Sequence, residues 1–168
     1  VLVNSLSSTG ISSNAWMWII IGSLVGGLFG LVTAQRVPMT AMPETVALFN
    51  GCGGMSSLLV AIGVCLFPLV REAGDIGNGL VEIISIIVSV FVGAITFTGS
   101  VVAMAKLQGW LTTPSWMQSK FRHAINIFFA VLSLIGAIEL FRTSGQVGLW
   151  LLVLGSGLLG IGVTLSIG

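Results

Sequence analysis

Five stretches of this chain, at 15–34, 45–67, 80–105, 124–141 and 149–167, run close to 20 residues with almost no charge inside them. About 20 apolar residues is what a helix needs to cross roughly 30 Å of hydrocarbon. Backbone groups in lipid must bond internally, and the alternating pattern of a barrel strand is missing, so helices follow. The expected fold class is all-α: a polytopic transmembrane helix bundle with about five membrane-spanning helices. Only 7% of the residues are charged, against about 25% in a soluble domain, too few to cover a water-facing surface. The formal net charge of +1 points to neither nucleic acid nor an acidic partner.

Residues 1–14 form a Ser/Asn/Thr/Gly stretch without apolar period and read as an exposed leader or loop, leaving 15–168 as the transmembrane helical domain. No charged region precedes the first apolar run, so no signal peptide is expected. The opening residue is Val1, which suggests a fragment of a longer chain. Cys52 and Cys65 share one apolar segment, too far apart along a helix to pair, and read as small buried residues.

The connections carry most of the charge. QRVPMTAMPE holds Arg36 and two prolines, which stop one helix and can open the next at Pro43. PLVREAGDIGNG holds Arg71, Glu72 and Asp75, KLQGWLTTPSWMQSKFRH holds Lys106, Lys120, Arg122 and His123, and Arg142 sits in the last turn. Four of the six basic residues fall in the first and third connections, which the positive-inside rule places in the cytoplasm together with Gly168. Trp16, Trp18, Trp110, Trp116 and Trp150 fall near predicted helix ends, where interfacial tryptophan belongs.

Small residues recur at helical spacing. Gly22, Gly26 and Gly30 make a stripe on the first segment, and Gly155, Gly157, Gly160 and Gly162 a looser one on the fifth. Both predict close helix packing and no chemistry. On the third segment, Glu82, Ser85, Ser89, Gly93, Thr96 and Ser100 share one face for nearly its whole length. Such a stripe is either a packing seam with interhelical hydrogen bonds or the lining of a hydrated path headed by a carboxylate. Asn50, Gly54, Ser57, Ala61 and Cys65 form a similar face on the second segment. The Asn50 amide can hold an ordered water or pair with a neighbouring helix. Glu139 has Arg142 three residues on as a local ion partner, whereas Glu82 has none nearby in sequence. His123, beside Arg122, reads as a solvated interfacial histidine. No metal-ligand cluster, Ser/His/Asp set or P-loop is visible, and GCGG at 51–54 has the wrong spacing for a dinucleotide fingerprint. On these residues alone, a small permease or a structural subunit of a membrane complex is also open.

Two strings go further: MPETVALFNG (Met42 to Gly51) and GAITFTGSVVAMAKLQG (Gly93 to Gly109), followed by RHAIN (Arg122 to Asn126). They resemble, in order and spacing, the membrane part of the beta subunit of proton-translocating NAD(P)+ transhydrogenase. The resemblance runs from about residue 15 to Gly168. It implies hydride transfer from NADH to NADP+ driven by inward proton movement, in a multi-pass protein of the bacterial cytoplasmic (inner) membrane or the mitochondrial inner membrane. NAD(H) and NADP(H) would bind soluble domains of the complete enzyme, leaving no cofactor and no metal in this piece. Its partners would be the lipid bilayer, the remaining helices and NADP(H)-binding domain of the same subunit, and the alpha subunit, in a dimer of the complete enzyme. The chain stops at SIG, where the family continues through a Gly-Ala-Asp-Met-Pro segment. The expected proton path is Asn50, Ser57, Glu82, Ser85, Ser89, Thr96 and Ser100, and the expected cytoplasmic coupling surface is Arg122 and His123. Several family members have histidine where Asn50 stands. Asparagine does not titrate near neutral pH, so Asn50 would order water while a helix of the alpha subunit supplies the titrating histidine.

Overall fold

The computed structural model of the chain describes residues 13–66, 79–113, 121–143 and 146–167. It has five long helices: α1 (Ser13–Arg36), α2 (Met42–Leu66), α3 (Gly79–Leu107), α4 (Phe121–Thr143) and α5 (Gln146–Ser166). All five are long and apolar enough to cross a membrane. The predicted segments differ from these helices by a few residues at each end, because the last polar turn of a helix is invisible to an apolar-run reading. Lys106, Arg122, His123 and Arg142 therefore belong to terminal helical turns, not to the connections. The leader up to residue 12, the charged connection at 67–78 and the 114–120 stretch with Trp116 and Lys120 lie outside the described residues.

The helix boundaries follow from local chemistry. Pro38 biases Val37 away from helix, and α1 closes at Arg36 with Val37 N–H donating to the Thr33 carbonyl at 3.1 Å. A single 3-10 turn, Met39–Ala41, leads into α2, where Pro43 lies in the first turn and Glu44 adds an acidic side chain to that turn. α3 ends in a Schellman motif. Gly109 takes φ +73°, Trp110 N–H donates to the Ala105 carbonyl at 2.9 Å, and Gly109 N–H to that of Lys106 at 3.0 Å.

The chain divides into two compact units, Val1–Met42 and Pro43–Gly168. In the first, a methyl built on Gly22, Gly26 or Gly30 meets no atom within 4 Å, so the close packing expected of that stripe is not made among the described residues. In the second, α5 is the centre. Gly148, Gly155 and Gly162 press on α4, and Gly157 and Gly160 on α3. A Cβ on Gly155 would lie 2.6 Å from the Ser133 amide nitrogen, so only glycine allows this approach. With lipid as apolar as leucine, such backbone proximity is what holds membrane helices together. Thr98 ties α3 to α5 by donating to the Gly157 carbonyl at 2.9 Å. The core is small: Val90, Leu149 and Leu152 are almost fully buried, with Leu58, Ala61, Ala94 and Leu140 around them.

The cysteine expectation is corrected. Cys52 is exposed, and Cys65 is half-buried and packed against the core cluster. Neither is disulfide-bonded.

Candidate functional site: a groove between α2 and α3

α2 and α3 cross where both have glycine. A Cβ on Gly54 would lie 2.8 Å from Phe97 N and 2.9 Å from the Gly93 carbonyl, and one on Gly93 only 2.8 Å from the Gly54 carbonyl. The crossing is antiparallel: Gly51 lies against Ser100, and Leu58 against Gly93. α2 thus begins on the side where α3 ends.

Along this crossing runs an open groove in two consecutive parts. One, of about 350 Å³, is lined by Asn50, Ser57 and Thr96 among others. The other, of about 240 Å³, is lined by Glu82, Ser85 and Ser89 with Val60, Ala61 and Val64. The lining positions continue in helical register on both helices, so the two parts lie along one side of the pair. Six of the seven residues expected on a proton path face this groove, and the seventh, Ser100, accepts a hydrogen bond from Asn50 Nδ2 at 3.0 Å. Ser100 itself is buried. Asn50, Ser57 and Ser85 are exposed, while Glu82, Ser89 and Thr96 are half-buried. Ser85 already donates to the Val81 carbonyl of its own helix at 2.7 Å, which leaves its oxygen free to accept.

The α3 stripe is divided between packing and groove. Gly93 is the seam, and the polar positions on either side of it line the groove.

Arg122 and His123 lie elsewhere, in the first turn of α4. Arg122 reaches back to donate to the Ser166 carbonyl at 3.2 Å and also approaches His123 Nε2 at 3.3 Å. Lys106, in the last turn of α3, donates to the Thr164 carbonyl at 3.3 Å and to that of Ile167. Two cations thus converge on the carboxyl end of α5, where its unpaired carbonyls concentrate negative potential. Sequence reading took Lys106 as a topology signal and Arg122 as a topology signal and part of the expected coupling surface; their contacts with α5 were hidden because the partners are 44 to 61 residues away. These contacts put the end of α3, the start of α4 and the end of α5 on one side, as the charge-derived topology requires.

Among the described residues no group of three or more His, Cys, Asp or Glu side chains converges.

The whole chain, residues 1–168, matches the family model described as NAD(P) transhydrogenase beta subunit. Two curated relatives from Rhodospirillum rubrum, each an NAD(P) transhydrogenase subunit beta, are 43% identical over 101 residues. That match covers 58% of this chain and 21% of theirs, so the chain corresponds to a minor part of those proteins' length. The small-permease and structural-subunit readings give way to this assignment. With five helices of spanning length and composition, the chain is a multi-pass membrane protein, and it belongs to the NAD(P) transhydrogenase beta-subunit family.

Proposed function

We propose that the chain is part of the proton-conducting membrane domain of a transhydrogenase, coupling inward proton movement to hydride transfer from NADH to NADP+. The observation that carries this reading is the α2–α3 groove. Its carboxylate and hydroxyls follow one face of α3 from Glu82 to Thr96, with Asn50 and Ser57 contributed by α2. Polar side chains facing outward from a membrane helix are costly unless they meet water or a polar partner. A file of hydrated hydroxyls passes protons from water to water, with Glu82 gathering them at one mouth.

In this reading the remaining helices of the subunit and the alpha subunit close the groove in a dimeric enzyme. The membrane is the bacterial cytoplasmic or mitochondrial inner one. NAD(H) and NADP(H) bind soluble domains outside this chain, so the purified fragment should bind neither nucleotide. Arg122 and His123, at the membrane edge, belong to the surface that meets those domains. Asn50 carries no titrating proton itself and acts by ordering water.

The test replaces Ser89 or Thr96 by leucine in the complete enzyme. Proton pumping and coupled hydride transfer should fall together while assembly in detergent stays intact. Normal pumping in both variants would reduce the groove to a packing feature. As a complement, Asn50→His should remain active and gain a titration at about pH 5–8, where imidazoles change charge.

A further inference from the structure

A hydroxyl on a membrane helix commonly satisfies itself on its own backbone. Ser85, Thr98, Ser156 and Thr164 each donate to the carbonyl four residues back, at 2.6 to 2.8 Å. Ser57 and Thr96 do not: neither side chain makes a hydrogen bond among the described residues. For Ser57 the carbonyl four residues back is that of Gly53, which already receives the Ser56 hydroxyl at 2.8 Å. Ser57 and Thr96 line the same part of the groove as Asn50 and Gly53. Asn50, Gly53 and Ser57 follow one another at steps of three and four along one side of α2. Thr96 stands at their level on α3, its Cβ 2.9 Å from where a Cβ on Gly54 would lie. A methyl built on Gly53 meets no atom of the described residues within 4 Å. Gly51 and Gly54 are explained by the approach of α3, and Gly63, equally open, lines neither part of the groove. Gly53 therefore lowers the helix propensity of α2 without a packing contact in this chain that asks for glycine.

We propose that the notch at Gly53 is a binding site for ordered water, a short bridge from Asn50 to Ser57 with Thr96 as its side anchor. Seven positions of helix put Asn50 and Ser57 about 10 Å apart along the axis, beyond a direct hydrogen bond. Two waters at roughly 2.8 Å per link span most of that distance, and the side chains supply the rest. Asn50 spends one hydrogen bond on Ser100 and keeps others, while Ser57 and Thr96 can each donate and accept. The bridge thus has three polar partners, which is what a held water needs. A side chain at position 53 would take the place of that water.

The proposal rests on the groove being the proton path, and it is tested in the complete enzyme with Gly53→Ala, Thr96→Val and the two combined. Alanine puts a methyl in the notch and favours the helix, and valine keeps the shape of threonine without its hydroxyl. Each single change should lower proton-coupled kcat roughly threefold to tenfold, with nucleotide KM and assembly in detergent unchanged. The double variant should be no slower than the slower single one, because Thr96 has no water left to hold once the methyl has displaced it. Full activity in either single variant, losses that multiply in the double variant, or failure of Gly53→Ala to assemble would each overturn the water site. None of these removes the path reading, which falls only on normal pumping in both Ser89→Leu and Thr96→Leu.

Discussion

The seam between α4 and α5 and the seam between α2 and α3 are made from the same kinds of residue and behave in opposite ways. Both place glycine, serine and asparagine at helical spacing. Between α4 and α5 the glycines are spread along the interface: Gly136, Gly148 and Gly155 meet backbone, and Gly162 meets the Asn126 side chain. Polar atoms caught there are sealed in: Ser133 Oγ and Asn126 Oδ1 are buried without a hydrogen-bond partner among the described residues. Between α2 and α3 the tightest approach is at one place, Gly54 on Gly93, and the helices leave a groove beside it, to which Asn50, Ser57, Ser85, Ser89 and Thr96 contribute. The distribution of glycine, and not the number of hydroxyls, decides whether a polar stripe is closed into a tight joint or left open as a groove.

The largest effect should come from forcing the tight joint open. Gly155→Leu drives a side chain into the Ser133 backbone and should cost about 3 kcal/mol, the upper end for overpacking. Thermal denaturation of the detergent-solubilised protein measures it, and an unchanged midpoint would mean the α4–α5 contact is not holding the bundle. Filling the groove should leave the fold alone. Ser57→Leu, at an exposed lining position, should stay within about 0.5 kcal/mol of the parent in stability. Proton-coupled turnover of the complete enzyme should nonetheless fall about tenfold or more, equivalent to ~1.4 kcal/mol of barrier.

Removing one of the two cations on α5 should matter less. Arg122→Gln deletes a charge-assisted bond to the Ser166 carbonyl and should cost about 1 kcal/mol. Faster amide exchange confined to the last turn of α5 would be its mark. The smallest change should have the opposite sign. Ser133→Ala removes a buried hydroxyl that has no partner and should be neutral or stabilising by up to about 1 kcal/mol. A clear loss of stability would mean that this hydroxyl has a hydrogen-bond partner such as water, and the contrast between the seams would fail.

Much of this was legible in the sequence because lipid imposes strong constraints. Length and apolarity place the five helices to within a few residues, and the period of α3 puts Glu82, Ser85, Ser89 and Thr96 on one face before any coordinates are seen. What that period does not contain is a neighbour. The Gly22, Gly26 and Gly30 stripe looked as tightly packed as that of α5, yet a methyl on it meets no atom of the described residues within 4 Å, since spacing defines a face without saying what covers it. Ser100 read as one more lining hydroxyl; its burial behind Asn50 depends on where α2 crosses. The grip of Lys106 and Arg122 on α5 was equally hidden, because a helix-end cap supplied from another helix leaves no local signature.

The most direct test of the central contrast is water access, read by thiol chemistry. In the complete enzyme with Cys52 and Cys65 replaced by alanine, single cysteines are placed at Ser57, Ser89 and Thr96 in the groove and at Ser133 and Ser156 on the α4 and α5 faces that are fully buried. A small, charged, membrane-impermeant thiol reagent is then applied to sealed vesicles, and the rate of modification is followed by mass spectrometry. Reaction at the three groove positions, with the two buried positions inert, is the result predicted here. Inert groove cysteines, or equal labelling of both sets, would contradict it.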